Sequence, residues 1–440
     1  MEKKRLFVYS VDAMVTEDIE YLKHKPNFGR FYENCSGLAS VRTVYPAITY
    51  PVHVAIQTGC YPEKNGVYVN KLFNTRGSDV EWTWDYRNIK VDNIFSAAKR
   101  GGYTTGVGFW PVTACNPDVD FHLPEYWLAH PGETLRETFM ELGADARTAD
   151  HMEKYAHLLP DTYWKTGKAN FTVEPNFDNF MIHVVCDMIR ESQPEVLFIH
   201  GSHVDSTRHK YGVFCPEVCG ALDQVDEWLG MIFDAYRDSG HLADTNFVIL
   251  SDHGQMGMTR HTRPNAMLAE RGLVQLDEDG KVRDWTIYGA SNGHSMTFWE
   301  KDPTDKAAHE RAYRTLKELA EEGVWGFREV LTRQEAAERF HWDGDFAFVI
   351  ESDDYTGFEN SPLKPFSKDI PLREQRMGKG THGFMPDRGP QPVFLAKGPD
   401  FRENVFLPRH EIVDEGPTFA KLLGVELRDA QGCAMTELLR

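Results

Sequence analysis

The sequence predicts an α/β fold, with a mostly parallel central sheet flanked by helices on both faces and an inserted α/β cap subdomain. Three short apolar runs are typical of fully buried strands: RLFVYSV, EVLFIHG and NFVILSD. They alternate with longer helical runs, and this alternation of strand and helix is the pattern of a parallel sheet. Two long stretches interrupt the alternation, so we expect insertions there.

The alternation passes through two cycles along the chain. The first consists of the strand RLFVYSV, the helices DIEYLKHKPNFGRFYENC and VDNIFSAAKRGG, and the strand YTTGVGFW; the second consists of NFDNFMIHVVCDMIRES, EVLFIHG, PEVCGALDQVDEWLGMIFDAYRDSG and NFVILSD. Gly102 and Gly240 are expected to end their helices, because glycine is the preferred residue just after a helix C-terminus.

The interruptions divide the chain into a core and two inserted parts. The predicted core comprises residues 1–112, 176–262 and 376–440. Residues 113–175 are irregular and contain several Pro, Trp and His residues, so we expect an insertion beside the sheet. Residues 263–375 are predicted to form the cap subdomain, because they contain an α/β pattern of their own: SMTFWE, TDKAAHERAYRTLKELAEEG, TRQEAAERF and DFAFVIES.

The composition is that of a soluble globular protein, since 41% of the 440 residues are apolar and 26% are charged. The formal net charge of -19, from 48 basic and 67 acidic residues, argues against broad binding to nucleic acid or anionic lipid. No apolar run approaches the roughly 18 residues that suggest a membrane-spanning helix. We therefore expect no nucleic acid and no membrane among the partners, while the oligomeric state stays open.

Two features favour a cytoplasmic location. Seven cysteines at irregular spacing, without a CxxC pair, predict neither a disulfide framework nor a cysteine-based zinc site. The basic start MEKKRLFVYSVDA is interpreted as the first strand rather than a signal peptide, because its apolar run is short and lacks a small-residue cleavage site.

Acidic and histidine side chains follow several predicted strands, at the edge where open α/β sheets place their chemistry. Asp12 ends the first apolar run, Asp205 follows a second, and Asp252 and His253 follow a third. His209 stands four residues after Asp205, so one helical turn would bring both to one face. Each pair alone is more typical of ordinary loop residues than of a metal site. The complete set predicts a site for two metal ions of the zinc type. Its residues are Asp12, Thr49, Asp205, His209, Asp252, His253 and His382.

Thr49 lies in a segment, YPAITYPVHVAIQTG, that is typical of a short helix. We expect Thr49 as its N-cap, with Pro51 in the first turn and Gly59 just past the end. A hydroxyl group at a helix N-terminus lies where backbone N–H groups favour an anion, and a bound metal would lower its pKa enough for nucleophilic attack. His53, one turn further on, is interpreted as a structural histidine.

These motifs together resemble the alkaline phosphatase superfamily, and within it the nucleotide pyrophosphatase/phosphodiesterase branch. The segment VYPAITYPVHVAIQTGCYPEKNGVYVN is similar to that branch's nucleophile region, and HVDSTRHKYG, SDHGQ and THGF are similar to its metal-binding motifs. The resemblance implies that Asn70 donates to a non-bridging phosphoryl oxygen. It also implies two zinc sites, one formed by Asp205, His209 and His382, the other by Asp12, Asp252, His253 and the Thr49 oxygen.

The activity that the resemblance implies is hydrolysis of phosphodiester or nucleotide pyrophosphate bonds. The substrate would be a small phosphorylated molecule, with a nucleotide as one candidate. Thr49 would attack phosphorus and form a covalent phosphothreonine-type intermediate, which water then releases. Zinc is preferred because three histidine ligands suit a borderline metal, with manganese and iron as alternatives.

Aromatic residues near the predicted site are candidates for substrate binding. Trp82, Trp84 and Tyr86 would form a wall for a nucleobase or another flat leaving group. Phe109 and Trp110 belong to a Phe-Trp-Pro sequence that resembles one in the same branch. The alternative interpretation of these side chains is packing in the core.

Two other activities stay open within the superfamily. One is phosphomonoester hydrolysis, and the other is cleavage of a carbon-phosphorus bond as in phosphonoacetate hydrolase, which the cap region resembles. That enzyme's substrate-binding lysines are replaced here by Pro111-Val-Thr-Ala-Cys115, and Lys165 and Lys168 are the candidate substitutes. A non-enzymatic metal-binding module would predict a broken ligand set, whereas this set is complete.

Overall fold

The computed structural model of the protein describes residues 3–73, 82–126, 134–159, 174–371 and 379–440. Its strands, in chain order, are β1 (Arg5–Val11), β2 (Ser36–Arg42), β3 (Thr105–Gly108), β4 (Phe121–Leu123), β5 (Val196–Gly201), β6 (Thr245–Leu250), β7 (Met256–Gly257), β8 (Arg260–Thr262), β9 (Val274–Leu276), β10 (Val282–Trp285), β11 (Ile287–Ser291), β12 (Ser295–Glu300), β13 (Phe327–Thr332), β14 (Phe348–Ser352), β15 (Thr356–Phe358), β16 (Ser367–Asp369), β17 (Gly380–Thr381), β18 (Phe394–Lys397) and β19 (Phe406–Glu411).

The α-helices, in chain order, are α1 (Ile19–Leu22), α2 (Pro26–Tyr32), α3 (Thr49–Thr58), α4 (Pro62–Asn65), α5 (Ile94–Arg100), α6 (Leu135–Glu141), α7 (Ala146–Tyr155), α8 (Asn176–Asp187), α9 (His203–Tyr211), α10 (Pro216–Asp238), α11 (Pro264–Glu270), α12 (Lys306–Glu321), α13 (Arg333–Phe340) and α14 (Glu415–Leu423). Within the described ranges, none of these helices combines the length and apolar character needed to cross a membrane.

The central sheet has eight strands in the order β19-β2-β18-β6-β1-β5-β3-β4. Neighbouring strands are parallel except where β18 pairs with β2 and with β6. In the middle of the sheet, Ser10 of β1 is level with Leu250 of β6 and His200 of β5. Because these three strands run in the same direction, the residues that follow them emerge at one edge. The predicted mostly parallel sheet is confirmed.

Helices cover both faces of this sheet. Phe7 and Tyr9 of β1 point into a core formed with α8 and α10, whereas Leu6 and Val8 point into a core formed with α3, α5 and α14. All four side chains are at most 1% exposed. This alternation of faces is what a strand buried on both sides produces, and it explains why β1 reads as a continuous apolar run.

Two elements differ from the expectation. The single helix expected over DIEYLKHKPNFGRFYENC is divided into α1 and α2, since Pro26 lacks the N–H that a helix interior needs and instead occupies the first position of α2. Within the predicted insertion 113–175, strand β4 pairs with β3 and forms the outer edge of the central sheet. This segment therefore also contributes to the sheet itself.

The predicted cap region contains an antiparallel sheet in the order β11-β12-β14-β13. Its own apolar core includes Phe298 of β12 and Leu316 of α12. A separate apolar cluster joins the cap to the core, and there the Tyr45 and Trp342 rings lie 4.7 Å apart. The cap thus packs on the loop that leads into α3. The boundaries proposed for the core, the insertion and the cap stay predictions.

Candidate active site

The predicted metal-site residues lie in two clusters at the edge where β1, β5 and β6 end. The outer cluster consists of Asp205, His209 and His382, whose ligand atoms lie within 4.8 Å of one another. Asp205 and His209 are one turn apart on α9, with 3.3 Å between Asp205 Oδ2 and His209 Nε2. His382 follows β17, and its Nε2 lies 3.9 Å from Asp205 Oδ1. The helical turn expected from the four-residue spacing is therefore present.

The inner cluster consists of Asp12, Asp252 and His253, whose ligand atoms also lie within 4.8 Å of one another. His253 Nε2 is 3.2 Å from Asp252 Oδ2 and 3.6 Å from Asp12 Oδ1. The His253 ring lies 4.3 Å, centroid to centroid, from the ring of His382 in the outer cluster. The two clusters are therefore immediate neighbours.

The inner cluster has carboxylate oxygens that are free to bind a cation. Its carboxylates each use one oxygen within the protein: His200 Nε2 is 3.1 Å from Asp12 Oδ2, and the Ala13 N–H donates to Asp252 Oδ1 at 3.2 Å. The other two oxygens are buried without a hydrogen-bond partner among the described residues. Burial, with repulsion from Asp252 and Asp205, raises the pKa of Asp12 well above its ordinary value. A bound cation would relieve this repulsion.

A buried histidine, His200, supports the carboxylate of Asp12. His200 Nε2 faces Asp12, and its Nδ1 lies 3.4 Å from Glu125 Oε1, with all three side chains at most 3% exposed. Burial opposes protonation of His200, but Asp12 and Glu125 outweigh it and raise its pKa. Neither supporting residue, His200 or Glu125, was among the residues predicted from the sequence. A signal was present for His200, because it is a polar residue inside an otherwise apolar strand.

His53 supports the start of α3. Its Nδ1 lies 2.7 Å from the Thr49 carbonyl oxygen and its Nε2 lies 2.8 Å from Ser10 Oγ. Burial lowers the pKa of His53 to about 3, so the ring is neutral at ordinary pH. With both ring nitrogens next to protein oxygens, this histidine is held as a structural element beside the inner cluster.

The outer cluster is oriented by different partners and is more open. His209 Nδ1 lies 2.8 Å from the Gly380 carbonyl oxygen, which turns its Nε2 towards Asp205. Gln255 Nε2 donates to the carboxylate and, at 3.1 Å, to the carbonyl of Asp205. Burial opposes ionisation of Asp205, but His209 and His382 outweigh it and hold its pKa below the usual range. The His209 and His382 side chains are 18% and 14% exposed.

Thr49 is the first residue of α3 and not its N-cap, so that part of the prediction is wrong by one position. The N-cap is Ile48, and its side chain makes no capping hydrogen bond. The Thr49 hydroxyl oxygen lies instead 3.4 Å from His253 Nε2 in the inner cluster. Gly59 ends the helix with a φ of 65°, a left-handed conformation that glycine adopts easily.

Asn70 is anchored beside the start of α3. Its Oδ1 accepts a hydrogen bond from the Tyr50 backbone N–H at 2.9 Å. Because a backbone N–H can only donate, this bond identifies the oxygen of the amide and leaves Nδ2 as a donor. Asn70 also lines the cavity next to the outer cluster, so its Nδ2 is a candidate donor to an anion bound there.

A cavity of about 630 Å³ lies between the outer cluster and the cap. The described residues that line it include no Asp or Glu, and its basic side chains are Lys71, His209 and His382. The Lys71 ammonium group lies 4.6 Å from the centroid of the Trp82 ring. The cavity therefore suits an anionic ligand. The predicted substitutes Lys165 and Lys168 lie outside the described residues.

Of the five aromatic residues predicted to bind substrate, Trp82 lines this cavity and Tyr86 lies outside its described lining. Trp84, Phe109 and Trp110 lie outside its described lining and are 5%, 2% and 0% exposed. The Phe109 ring stacks on Phe177 with centroids 4.4 Å apart. For these three side chains the substrate-binding prediction is corrected to core packing, the alternative interpretation of their positions.

A third group of possible ligands lies away from this site and consists of His151, Asp187 and Glu191. The ammonium group of Lys154 lies 2.5 Å from Asp187 Oδ2, and Arg190 Nη1 lies 3.8 Å from Asp187 Oδ1. Because these two side chains already neutralise the carboxylate, the group needs no metal ion.

Residues 6–385 match the family model of type I phosphodiesterase / nucleotide pyrophosphatase. This match spans most of the chain, and the protein therefore belongs to that family. The resemblance inferred from the motifs is confirmed. The family is metal-dependent, in agreement with two groups of possible metal ligands at the sheet edge.

Curated relatives match part of the chain at low identity. Human ectonucleotide pyrophosphatase/phosphodiesterase family member 1 is 23% identical over 226 residues, which cover 49% of this chain and 19% of the relative. Venom phosphodiesterase CdcPDE of Crotalus durissus collilineatus is 23% identical over 262 residues, covering 58% and 26%. The matched region is thus a minor part of these longer relatives. Their names do not support the expected cytoplasmic location, which stays a prediction.

Solved structures match over nearly the whole chain. The murine ectonucleotide pyrophosphatase / phosphodiesterase 5 has a TM-score of 0.66 and 19% identity, covering 99% of this chain and 100% of that one. An inactive threonine-to-alanine variant of the same murine protein, in complex with AMP, has a TM-score of 0.67 and 18% identity, with 100% of both chains covered. These matches confirm the predicted fold.

Proposed function

We propose that this protein is a metal-dependent hydrolase of phosphodiester or nucleotide pyrophosphate bonds, with Thr49 as its nucleophile. The observation that carries the proposal is the position of the Thr49 hydroxyl, at the N-terminus of α3 and 3.4 Å from His253 of the inner cluster. The outer cluster and Asn70 face the adjacent cavity. Membership of the type I phosphodiesterase / nucleotide pyrophosphatase family supports the same class of reaction.

Each cluster is proposed to hold one divalent ion. The outer ion is assigned to Asp205, His209 and His382, and the inner ion to Asp12, Asp252, His253 and the Thr49 oxygen. Zinc is the preferred ion because half of the six carboxylate and imidazole ligands are histidines, with manganese and iron as alternatives. Ions of this type stabilise charge on phosphoryl oxygens and lower the pKa of a coordinated hydroxyl group.

The chain's own residues account for the two displacements of the proposed reaction. Thr49 loses its hydroxyl proton to solvent, and its oxygen forms a bond to phosphorus while the bond from phosphorus to the leaving oxygen breaks and that oxygen takes up a proton from solvent. Asn70 Nδ2 donates to a non-bridging oxygen that gains negative charge. A water oxygen then bonds to phosphorus and gives up one proton, the bond from phosphorus to Thr49 breaks, and the Thr49 oxygen takes up a proton in exchange. The net reaction consumes one water molecule.

The proposed substrate is a nucleotide or a related phosphodiester. The cavity next to the outer cluster has no carboxylate among its described lining residues, and it has aromatic side chains from both core and cap, including Trp82, Tyr288 and Trp299. Such a lining accepts a negatively charged group together with a flat ring. The AMP complex of the murine structural relative supports this choice.

The activity is tested with the zinc-loaded protein on four substrates in parallel: a phosphodiester, a nucleotide pyrophosphate, a phosphomonoester and phosphonoacetate. We expect the highest kcat/KM on one of the first two. A preference for the phosphomonoester or for phosphonoacetate would overturn the assignment, and would favour the corresponding alternative within the superfamily.

The nucleophile is tested with Thr49→Ala, which should lower kcat by at least about 10³-fold while zinc is retained. Thr58→Ala is the matched control, since Thr58 lies at the other end of α3 and its hydroxyl bonds to the Val54 carbonyl. Wild-type protein that is quenched with acid during turnover should carry the phosphoryl-containing part of the substrate on Thr49, and mass spectrometry of its peptides should detect the added mass. Substantial turnover by Thr49→Ala would exclude Thr49 as the nucleophile.

A further inference from the structure

Glu351 is a carboxylate of cap strand β14 that is fully buried. Its Oε2 accepts a hydrogen bond from the Tyr45 hydroxyl at 2.8 Å, and its Oε1 accepts one from the Met385 backbone N–H at 3.0 Å. The Arg388 guanidinium group also donates to Oε1. One side chain of the cap therefore contacts two separate segments of the core.

The two segments that this carboxylate joins carry the proposed nucleophile and the last ligand of the outer cluster. Tyr45 is four residues before the nucleophile, and Met385 is three residues after the outer-cluster histidine. The segments also contact each other directly, because the Gly383 N–H donates to the Ala47 carbonyl oxygen at 2.8 Å. A shift of either segment would change the distance between the two functional side chains.

The cap contacts the His382 loop at a second point nearby. The backbone N–H of His294, in the turn between β11 and β12, donates to the His382 carbonyl oxygen at 2.8 Å. Gly383 has a φ of 84°, and a side chain there would collide with the Asn292 carbonyl oxygen. Strand β12 is the neighbour of β14 in the cap sheet. The cap sheet is therefore built closely against this loop.

Docking of the cap does not by itself require a buried carboxylate. The Tyr45 ring already packs on the cap, with centroids 4.7 Å from Trp342 and 5.0 Å from Phe340. Burial raises the pKa of Glu351 to about 7, against the opposing effect of Arg388, and well-packed apolar residues often replace a buried ion pair without loss of stability. Directional hydrogen bonds fix a position more narrowly than apolar contacts do.

We propose that Glu351 is a positioning residue through which the cap sets the distance between the loop that carries Thr49 and the loop that carries His382. The inference rests on the proposed function, which assigns those two residues to the reaction. Glu351 contacts the loops and acts through them. Weakening its hydrogen bonds should therefore affect catalysis and retention of the outer ion, beyond any effect on stability.

The test compares Glu351→Gln with Glu415→Gln. Glu415 is a second fully buried glutamate, located on α14 in the core, and its carboxylate has no hydrogen-bond partner among the described residues. Both changes replace a buried carboxylate with an amide of similar size. We expect Glu351→Gln to lower kcat about 10- to 100-fold and to release the outer zinc at lower chelator concentration. Glu415→Gln should keep the wild-type kcat and zinc retention.

Tyr45→Phe is a milder second variant, because it removes one hydrogen bond to Glu351 and keeps the aromatic ring. We expect it to lower kcat about three- to tenfold, and to add little when combined with Glu351→Gln, since both changes break the same bond. If Glu351→Gln does not fold, the kcat and zinc retention of Tyr45→Phe alone decide whether Glu351 has a positioning role. Wild-type kcat and zinc retention in the folded variants, with only a lower Tm, would overturn the positioning role.

Failure of the proposed function would be recognised separately. It fails if the wild-type protein hydrolyses neither the phosphodiester nor the nucleotide pyrophosphate, or if Thr49→Ala stays active. Zinc retention by Glu351→Gln does not depend on the substrate. Earlier release of the outer zinc would then still support the positioning role for His382, and unchanged release would overturn it.

Discussion

The inner and outer clusters contain the same kinds of ligand in different proportions and surroundings. The inner cluster has two carboxylates and one imidazole, and its side chains are at most 3% exposed. The outer cluster has one carboxylate and two imidazoles, and its imidazoles are 14% and 18% exposed next to the cavity. A sealed anionic site is suited to hold an ion permanently, whereas an open and less charged site is suited to meet a ligand.

The residues that orient the ligands also differ between the two clusters. Behind the inner cluster, His200, Glu125 and His53 are themselves buried side chains. Behind the outer cluster, His209 is oriented by the carbonyl of Gly380, a residue of the short strand β17 beside the cavity. The inner cluster is therefore preorganised by packed side chains, whereas the outer cluster is oriented partly by the backbone of β17 and partly by the buried Gln255 side chain. We expect the inner ion to exchange more slowly.

The largest expected effect is that of Asp252→Asn in the inner cluster. The change removes a charged ligand from a site with no solvent to replace it, so we expect loss of the inner ion and a decrease in kcat of at least about 10³-fold. Metal content after desalting and kcat are the measurements. Asp187→Asn, another buried aspartate in a group of potential ligands, is the control and should stay active. Two bound ions in Asp252→Asn would contradict the assignment.

A somewhat smaller effect is expected from His209→Ala in the outer cluster. The cavity admits water that can replace the lost imidazole, so we expect the outer ion to bind more weakly while the inner ion stays bound. Loss of several kcal/mol of charge stabilisation corresponds to a decrease in kcat of about 10²- to 10³-fold. Metal analysis should find one ion per chain. Loss of both ions together would show that the clusters are not independent.

Part of each ligand cluster could be predicted from local geometry or strand direction, whereas the division into two clusters, with His382 and Thr49, was implied by the resemblance to the family. Asp12 and Asp252 end parallel neighbours, and Asp205 and His209 need only one helical turn. Glu125 and Glu351 could not be predicted in the same way. The first lies in an irregular segment, and the second follows three apolar residues in a strand of the cap. The contacts of both depend on which distant elements pack together.

The aromatic residues after β3 show a different limit of prediction from the sequence. Phe109 and Trp110 were expected near the substrate because their Phe-Trp-Pro sequence resembles one in the same branch of the superfamily. Phe109 has a φ of 56° and Val112 one of 58°, a left-handed conformation that is uncommon for such side chains. These turns accompany side chains buried in the core, where the Trp110 ring lies 4.9 Å from that of Phe198. Residue type and strand position do not reveal this backbone conformation.

The support behind the inner cluster is tested by His200→Asn. The shorter amide cannot span from Asp12 to Glu125, so we expect Asp12 to lose its fixed orientation and the inner ion to bind about 10- to 100-fold more weakly. Activity measured against increasing chelator concentration reports this change. His122→Asn is the control, since His122 is a buried histidine on nearby β4. Equal chelator sensitivity of His200→Asn and the wild type would exclude His200 as a support.

The smallest effect is expected on the open side of the site, from Trp82→Ala. Trp82 lines the cavity and Trp110 does not. Replacing each tryptophan in turn therefore distinguishes an effect on substrate binding from an effect on core packing. If Trp82 stacks on a nucleobase, its loss should raise KM for a nucleotide about fivefold to tenfold, as expected for about 1 kcal/mol of stacking, and leave KM for a small phosphodiester without a base unchanged. Trp110→Ala should instead lower the stability of the fold by about 3–5 kcal/mol. An equal rise in KM for both substrates in Trp82→Ala would indicate that Trp82 shapes the cavity and does not recognise a base.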